Sequence, residues 1–410
     1  MTSFLKAIHA GLLVAVMALV GTAAHAAPTK LTWLMWTGSE PEVIAWKRVA
    51  EMVTEKYPDI IVEFQTTSFP DYWTKLPILA ASGKLPDIIS LQSLRTAGFS
   101  RLMDPLNNYV KADKFDINGF EPSIVEGLSH DGKLYAIPYD FTAYLIFYNR
   151  DMFEAAGLPL PQPGWTQADF MKAATTLTKN GNFGFAVSEP ESLIAFCLSK
   201  GAHYLSNQGD LDITNAGMKN AFTQFATLVS VDKVAPLFPA SGTLSSAVAN
   251  GRFTSGNVAM YVDGPHNLLN IKKKANFAVG MVPVPVREAG SITITAGSGF
   301  GISSTSKNKD AAWKAIQVMT GPEAEQYLAR AGRAFPARVA FQNDWFDIAA
   351  KDVTGARDAL NAAIKTAKPF TTTPNWSTVS ALFIQYAPLA YAGTEAPDKV
   401  LETIQNLSAQ

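Results

Sequence analysis

The sequence predicts an α/β protein of two lobes that exchange segments, and three observations carry that expectation. Strand and helix patterns alternate three times between about residues 30 and 92, as in a mostly parallel, doubly wound sheet. Region 182–262 mixes the same two patterns again. Three strand-like segments, "AIPYDFTAYLIFYN" at 136–149, "VAMYVDG" at 258–264 and "SITITAGSGFGISS" at 291–304, read as crossings between the two regions.

Residues 30–36, "KLTWLMW", read as a short strand. In "PEVIAWKRVAEMVTEKYP" the apolar residues at 43, 46, 49, 50 and 53 trace one face of a helix that Pro58 stops. "IIVEFQT" (60–66) is the next strand. "DYWTKLPILAASG" is a helix with an internal proline ending at Gly83, and "PDIISLQ" is a third strand. Ligands gather at the carboxyl ends of strands in such sheets. Those ends are Trp36 to Glu40, the loop before Asp71-Tyr72, and Gln92-Ser93. Asp131-Gly132 reads as a hairpin turn. After the first crossing come a helix closed by Gly157, a proline-rich stretch, and a helix that Thr166 caps and that runs to Leu177. "FGFAVS" reads as a strand, "MKNAFTQFATLVSV" and "SSAVANGRFTSG" as helices, and the chain beyond 304 as mainly helix. No repeat of fixed period and no long linker interrupts the pattern.

Lys6, the apolar run Ala10 to Gly21 and an Ala-x-Ala ending at Ala26 match a cleavable secretory signal over 1–26. That run is about a dozen residues, short of the ~20 a membrane span needs, and no lipobox cysteine follows it. The 410 residues less these 26 suffice for two domains at the usual ~100–200 residues each. A formal net charge of −1 without runs of like charge argues against nucleic acid or an anionic membrane as partner. The single cysteine, Cys197, excludes an intramolecular disulfide, so stability must come from core burial, and its apolar surroundings read as core.

Catalytic and metal signatures are absent from the sequence. Ser129-His130-Asp131 are neighbours in a turn and cannot align as nucleophile, base and orienter. "AGSGFGI" at 296–302 has close glycines but no helix directly after it, so it predicts close backbone approach rather than a dinucleotide site. His130, His203 and His266 are scattered and far from the cysteine, which disfavours zinc. No cofactor is expected. At or near the strand ends, however, Trp36, Glu40, Tyr72, Trp73, Gln92, Asp140 and Trp165 interleave aromatic rings with carboxylates and an amide. Sugars suit that mixture, because their hydroxyls pair with carboxylates, amides and guanidinium groups while their C–H faces pack on rings.

Seven stretches, in order, make the chain resemble the family 1 extracellular solute-binding proteins, the sugar receptors of bacterial ABC importers. They are "WLMWTGSE", "SGKLPDII", "LMDPLNNYV", "GKLYAIPYDFTAYLIFYNRDMFEAAGLP", "ANGRFTSGNVAMYVDGPHN", "VPVP" and "AGRAFPAR". The resemblance implies a type II-like periplasmic binding protein fold. Its two α/β lobes, 27–142 with 264–318 and 143–263 with 319–410, would be joined by hinge segments around a ligand cleft. It implies a periplasmic, non-catalytic, monomeric receptor that takes a mono- or oligosaccharide or polyol and delivers it to permease subunits in the inner membrane. The ligand set it implies is Trp36 and Glu40 after the first strand, Gln92 after the third, Asp140 and Thr142 at the first crossing and Glu191 after "FGFAVS". Asp263 and His266 beside the second crossing, Gly297 and Ser298 at the third, Arg333 and Trp376 complete that set, and strand-end logic adds Tyr72. His266 stands where the family often has a stacking tryptophan. A phosphorylated polyol such as glycerol 3-phosphate, paired with Arg333, is the alternative ligand, against which Glu40, Asp140 and Glu191 weigh. A secreted glycoside hydrolase is the alternative of another class, and no spacing singles out its pair of acids.

Overall fold

The computed structural model describes residues 27–188, 190–237 and 245–409; the secretory-signal reading over 1–26 lies outside the described residues. Strand β1 (Thr29–Trp36) leads into helix α1 (Glu40–Lys56), β2 (Ile60–Thr67), α2 (Phe69–Ala81) and β3 (Ile88–Gln92). β1 lies between β2 and β3 and is parallel to both. Ser68 caps α2 by accepting from the N–H of Asp71, and Pro77 lies inside the helix. Asp131 (φ 50°) and Gly132 (φ 72°) form the tip of a small hairpin, with both residues in the left-handed region that such a turn demands.

Two strands then divide one sequence stretch between two sheets. β4 (Ile137–Ala143) belongs to the first sheet, and after Tyr144 β5 (Leu145–Asn149) begins a second. Helix α3 (Arg150–Ala155) follows, with Asn149 as its cap, and then α4 (Gln167–Leu177), which opens on a capping box between Thr166 and Asp169. "FGFAVS" forms no strand; it touches its neighbour only through the Phe183–Val258 and Ala186–Tyr261 bridges. Gly184 there lies so near Ala174 that an added Cβ would stand 2.0 Å from its carbonyl oxygen, so the segment packs on α4 rather than extending the sheet. α5 (Glu191–Ser199), α6 (Ala216–Ser230) and α7 (Ser245–Thr254) cover β6 (Met260–Asp263) and its neighbours. After α8 (Leu268–Lys274), β7 (Val279–Val282) pairs with β5 opposite β6, which closes a three-stranded antiparallel sheet.

The chain returns to the first sheet through β8 (Ile294–Ile302), antiparallel to β3 and β4, with the short β9 (Lys368–Pro369) on its other end. Helices α9 (Lys309–Met319) and α10 (Pro322–Arg330) pack on α1, whereas α12 (Trp376–Tyr391) and α13 (Pro397–Ser408) pack on α6; α11 (Ala356–Thr366) rests against β7. The residues that follow α10 run beside β4, where Phe141 donates to Phe335 and Ala337 donates to Tyr139. So 319–410, assigned from sequence to one lobe, is divided by its packing between the two sheets.

Each sheet has its own apolar core. Beneath the first, Trp33 meets Trp46 edge-on at 5.8 Å and Phe300 at 5.2 Å, while Tyr139 stacks on Phe300 at 4.6 Å. Under the second, Phe170, Phe185, Phe196 and Phe225 pack with Cys197, whose buried thiol is held un-ionised by loss of solvent. Each such ring, fully buried, contributes roughly 1.5–3 kcal/mol.

Candidate functional site

Trp36 and Gln92 at the carboxyl ends of β1 and β3, Phe69 just after β2, and residues of the three crossings come together around one space. A polar chamber of about 370 Å³ lies there. Trp36, the last residue of β1, forms one wall at 8 % exposure, braced by Phe69, Tyr72 and Trp73 at ring separations of 5.7, 5.0 and 5.3 Å. Glu42, in the first turn of α1, accepts from the N–H of Gly38 at 3.1 Å and from Asn270 Nδ2 at 2.8 Å. Its Oε2 is 3.8 Å from Nε of Arg333, which is 4 % exposed and lies over the Trp46 ring at 4.8 Å. Asp140, on β4, accepts from the N–H of Ser298 on β8 at 2.5 Å.

The two acids respond to burial in opposite directions. Burial acts to raise the Glu42 carboxyl, but Arg333, Asn270 and the Gly38 N–H outweigh it and hold it below the usual range. Burial raises Asp140 as well, and Arg333, His266 and Ser298 offset that only in part. Burial opposes the charge on Arg333, yet Glu42, Tyr139 and Asp140 raise its pKa further. Two groups that line the chamber are only loosely satisfied although both residues are buried: Arg333 Nε–H by the 3.8 Å ion pair to Glu42, and the Tyr139 hydroxyl by Arg333 and Ser298. Buried polar groups are rarely left so, and the usual partner is a ligand or water.

The far wall comes from the second crossing. Asp263 accepts from the Tyr261 hydroxyl at 2.8 Å, the Gly264 N–H at 2.7 Å and Asn267 Nδ2 at 2.7 Å. His266 shares a hydrogen bond with Thr142 at 3.1 Å through Nδ1, while its Nε2 lies 3.6 Å from Asp263. This imidazole therefore ties the first crossing to the second. Two glycines permit the close approach: a Cβ on Gly264 would meet His266 Nδ1 at 2.6 Å, and one on Gly297 would meet the Asp140 carbonyl at 2.4 Å. Among the described residues no group of three or more His, Cys, Asp and Glu side chains is arranged to hold a metal ion.

Of the residues singled out from sequence, Trp36, Gln92, Asp140, Thr142, Asp263, His266, Gly297, Ser298 and Arg333 all line this chamber. Four do not. Glu40 is exposed at the start of α1, and Glu42, two residues on, faces the chamber instead. Tyr72 is a core brace: its hydroxyl donates to the Ser90 carbonyl at 2.7 Å and accepts from the Ser90 N–H at 3.0 Å. Trp376 is 1 % exposed, packed on Phe370 and Tyr204 at 5.2 and 5.9 Å in the second core. Glu191 is the first residue of α5 rather than part of a loop, and its side chain lies outside the described residues. Sequence reasoning missed Glu42, Tyr139, Asn267 and Asn270. Glu42 had a signal, since it falls on the buried face with Ala45, Trp46, Val49 and Val53.

A family model for bacterial extracellular solute-binding proteins matches residues 48–354, well over half of the chain. A binding protein of Brucella abortus is 22 % identical over 376 residues, 87 % of each chain. The lactose-binding protein of Rhizobium radiobacter is 29 % identical over 230 residues, 54 % of this chain and 53 % of its own. An ABC substrate-binding protein of Listeria monocytogenes, solved with cycloalternan, superposes with a TM-score of 0.83 at 24 % identity over 93 % of this chain and 98 % of its own. That superposition is to a two-lobed protein, and it fits the two sheets and three crossings described above. With the match spanning α1 through β8 and the chamber between the sheets, the chain belongs to the family of bacterial extracellular solute-binding proteins.

Proposed function

We propose that this protein is the periplasmic receptor of an ABC importer, which captures a carbohydrate between its lobes and presents it to a membrane permease. The observation that carries this reading is the half-open chamber between the sheets, where Arg333, held by the 3.8 Å ion pair to Glu42, and the Tyr139 hydroxyl stand beside Trp36. A sugar ring offers hydroxyls to both groups and to Asp140, and a C–H face to the indole. The lactose-binding relative and the cycloalternan-bound structure support the ligand class. The first lobe takes 27–142 with the 294–338 segments, and the second takes 143–263 with the C-terminal helices. Closure of the lobes buries the sugar, so that nearly every hydroxyl must find a partner.

No catalytic step enters this reading. Glu42 is fixed by three partners and Asp140 by Ser298. Glu42, Asp140 and Asp263 outnumber the chamber's cations Arg333 and Lys274, and Arg333 is already paired with Glu42, which disfavours a phosphorylated polyol. The test is calorimetric titration of the mature protein with neutral sugars and polyols, with glycerol 3-phosphate as the contrast. At least one neutral sugar binds, and Asp140→Asn, which keeps the acceptor for Ser298, weakens it about tenfold, or ~1.4 kcal/mol. Selective binding of the phosphate overturns the carbohydrate reading. Turnover of chromogenic glycosides that Glu42→Gln abolishes overturns the receptor reading.

A further inference from the structure

We infer that Asn270 is a latch: its bond to Glu42 draws the two lobes together before any ligand arrives. This rests on the two-lobed receptor reading above but not on the identity of the ligand. Glu42 sits in the first turn of α1, directly after β1 of the first sheet. Asn270 lies on α8, which the chain forms between β6 and β7, two strands of the second sheet. Asn270 Nδ2 donates to Glu42 Oε1 at 2.8 Å, so one hydrogen bond joins elements of the two sheets.

That bond is one step of a directed chain. Asn270 Nδ2 also donates to Asn267 Oδ1 at 3.2 Å, and Asn267 Nδ2 donates to Asp263 Oδ2 at 2.7 Å. Asp263 takes the Tyr261 hydroxyl as well, whose oxygen accepts from Asn250 Nδ2 at 2.8 Å. Carboxylates only accept, so the acids at the two ends fix which way both amides face. A flipped Asn270 would set its carbonyl oxygen against Glu42. Two neutral amides thus join acids that would otherwise repel one another across the chamber they line.

Glu42 divides its oxygens between the lobes. Oε2 accepts from the Gly38 N–H at 3.1 Å and lies 3.8 Å from Arg333 Nε, whereas Oε1 takes Asn270. Parting of the lobes therefore breaks the Oε1 bond and leaves the other two in place. The Glu42 residue is 6 % exposed, so the broken bond is a charge-assisted one at a buried carboxylate. Arg95 also donates to the Ser377 hydroxyl on α12, but these are exposed groups, and such contacts contribute little. The Thr142–His266 bond sits at a crossing, where the covalent chain already holds the sheets together. A contact made only in the closed form raises the closed fraction, and apparent affinity rises with the fraction competent to bind. Asn270 is then a positioning residue, which acts on the ligand through the lobe equilibrium.

The experiment measures small-angle X-ray scattering from the ligand-free mature protein, from Asn270→Ala, from Asn270→Asp, and from Asn270→Asp combined with Glu42→Gln. Circular dichroism and a cooperative melt confirm that each is folded. Asn270→Ala removes the donor, and Asn270→Asp sets a second acid against Glu42. Both raise the radius of gyration, the aspartate variant more. The double variant exchanges donor and acceptor, and its radius returns toward the wild-type value. Titration with lactose, maltose and mannitol then reads the linkage. A sugar that binds the wild type binds Asn270→Ala about tenfold more weakly, for one charge-assisted bond lost, and at saturation restores wild-type scattering. An Asn270→Ala protein as compact as the wild type, or a double variant as open as Asn270→Asp, overturns the latch and leaves the carbohydrate reading intact. Expansion of the single variants with no binding of any of the three sugars supports the latch and counts against the carbohydrate reading alone.

Discussion

Glu325 is 0 % exposed in α10, and only the backbone N–H groups of Ala337 and Arg338 reach its carboxylate, loosely. Burial raises its pKa well above the usual carboxylate value, and Arg338 offsets that only in part. The folded protein thus keeps a proton that the unfolded chain gives up near pH 4.3. The stability this contributes is complete below that pH and declines as pH rises toward the folded value, by about 1.4 kcal/mol per unit. Glu325→Gln copies the protonated shape without the titration. Melting curves from pH 4 to 9 should show the variant gaining on the wild type as pH rises, and a constant difference would refute the assignment. Asp140 shares the raised direction but lines the chamber. Sugar affinity should weaken as pH falls toward its pKa, because the ionised acceptor makes the stronger bond. Asp140→Asn should flatten that profile, which titrations at pH 5 and 8 would measure.

At the scale of elements, the sequence was most legible where one periodicity ruled. β1, α1, β2, α2 and β3 lie within a residue or two of their pattern-based ranges, and the Thr166 cap and Asp131-Gly132 turn were readable from residue type. The α1 acid was misassigned by a strand-end argument that ignored helix phase: positions two apart lie about 200° apart around the axis, so Glu40 and Glu42 cannot share a face. "FGFAVS" failed as a strand because contact with α4, not alternation, decides its path. Trp376 and Tyr72 carried the ordinary core signal of a large ring, and only tertiary packing separates such rings from Trp36. β8 lies close on β4 where Gly297 faces the Asp140 carbonyl. Gly297→Ala must push these crossings apart, at a cost of about 1–3 kcal/mol. A lowered melting temperature together with weaker sugar binding would show it, and full affinity would mean that the crossing tolerates the shift.

For the whole molecule, the division of β4–β5 at Tyr144 joins the two sheets through one continuous stretch of chain. The alternation of "YDFTAYLIFYN" revealed this crossing, whereas the distribution of residues 319–410 over both sheets did not show in sequence, because helix faces do not name their partners. Among the described residues no helix is long and apolar enough to cross a membrane. A ligand held by both lobes couples their stabilities by mass action, adding about 2.7 kcal/mol at a concentration one hundred times Kd. Hydrogen exchange on the sugar-bound protein measures where that stabilisation falls. Closure predicts slowed exchange in peptides spanning 36–42 and 139–142 of the first lobe and in 261–270, where Asp263, His266 and Asn267 form the opposite wall. The two groups should slow in parallel as sugar is titrated, since neither wall alone encloses the chamber. Protection confined to 36–42 and 139–142 would mean that the sugar rests on one lobe, and closure would then have no part in its capture.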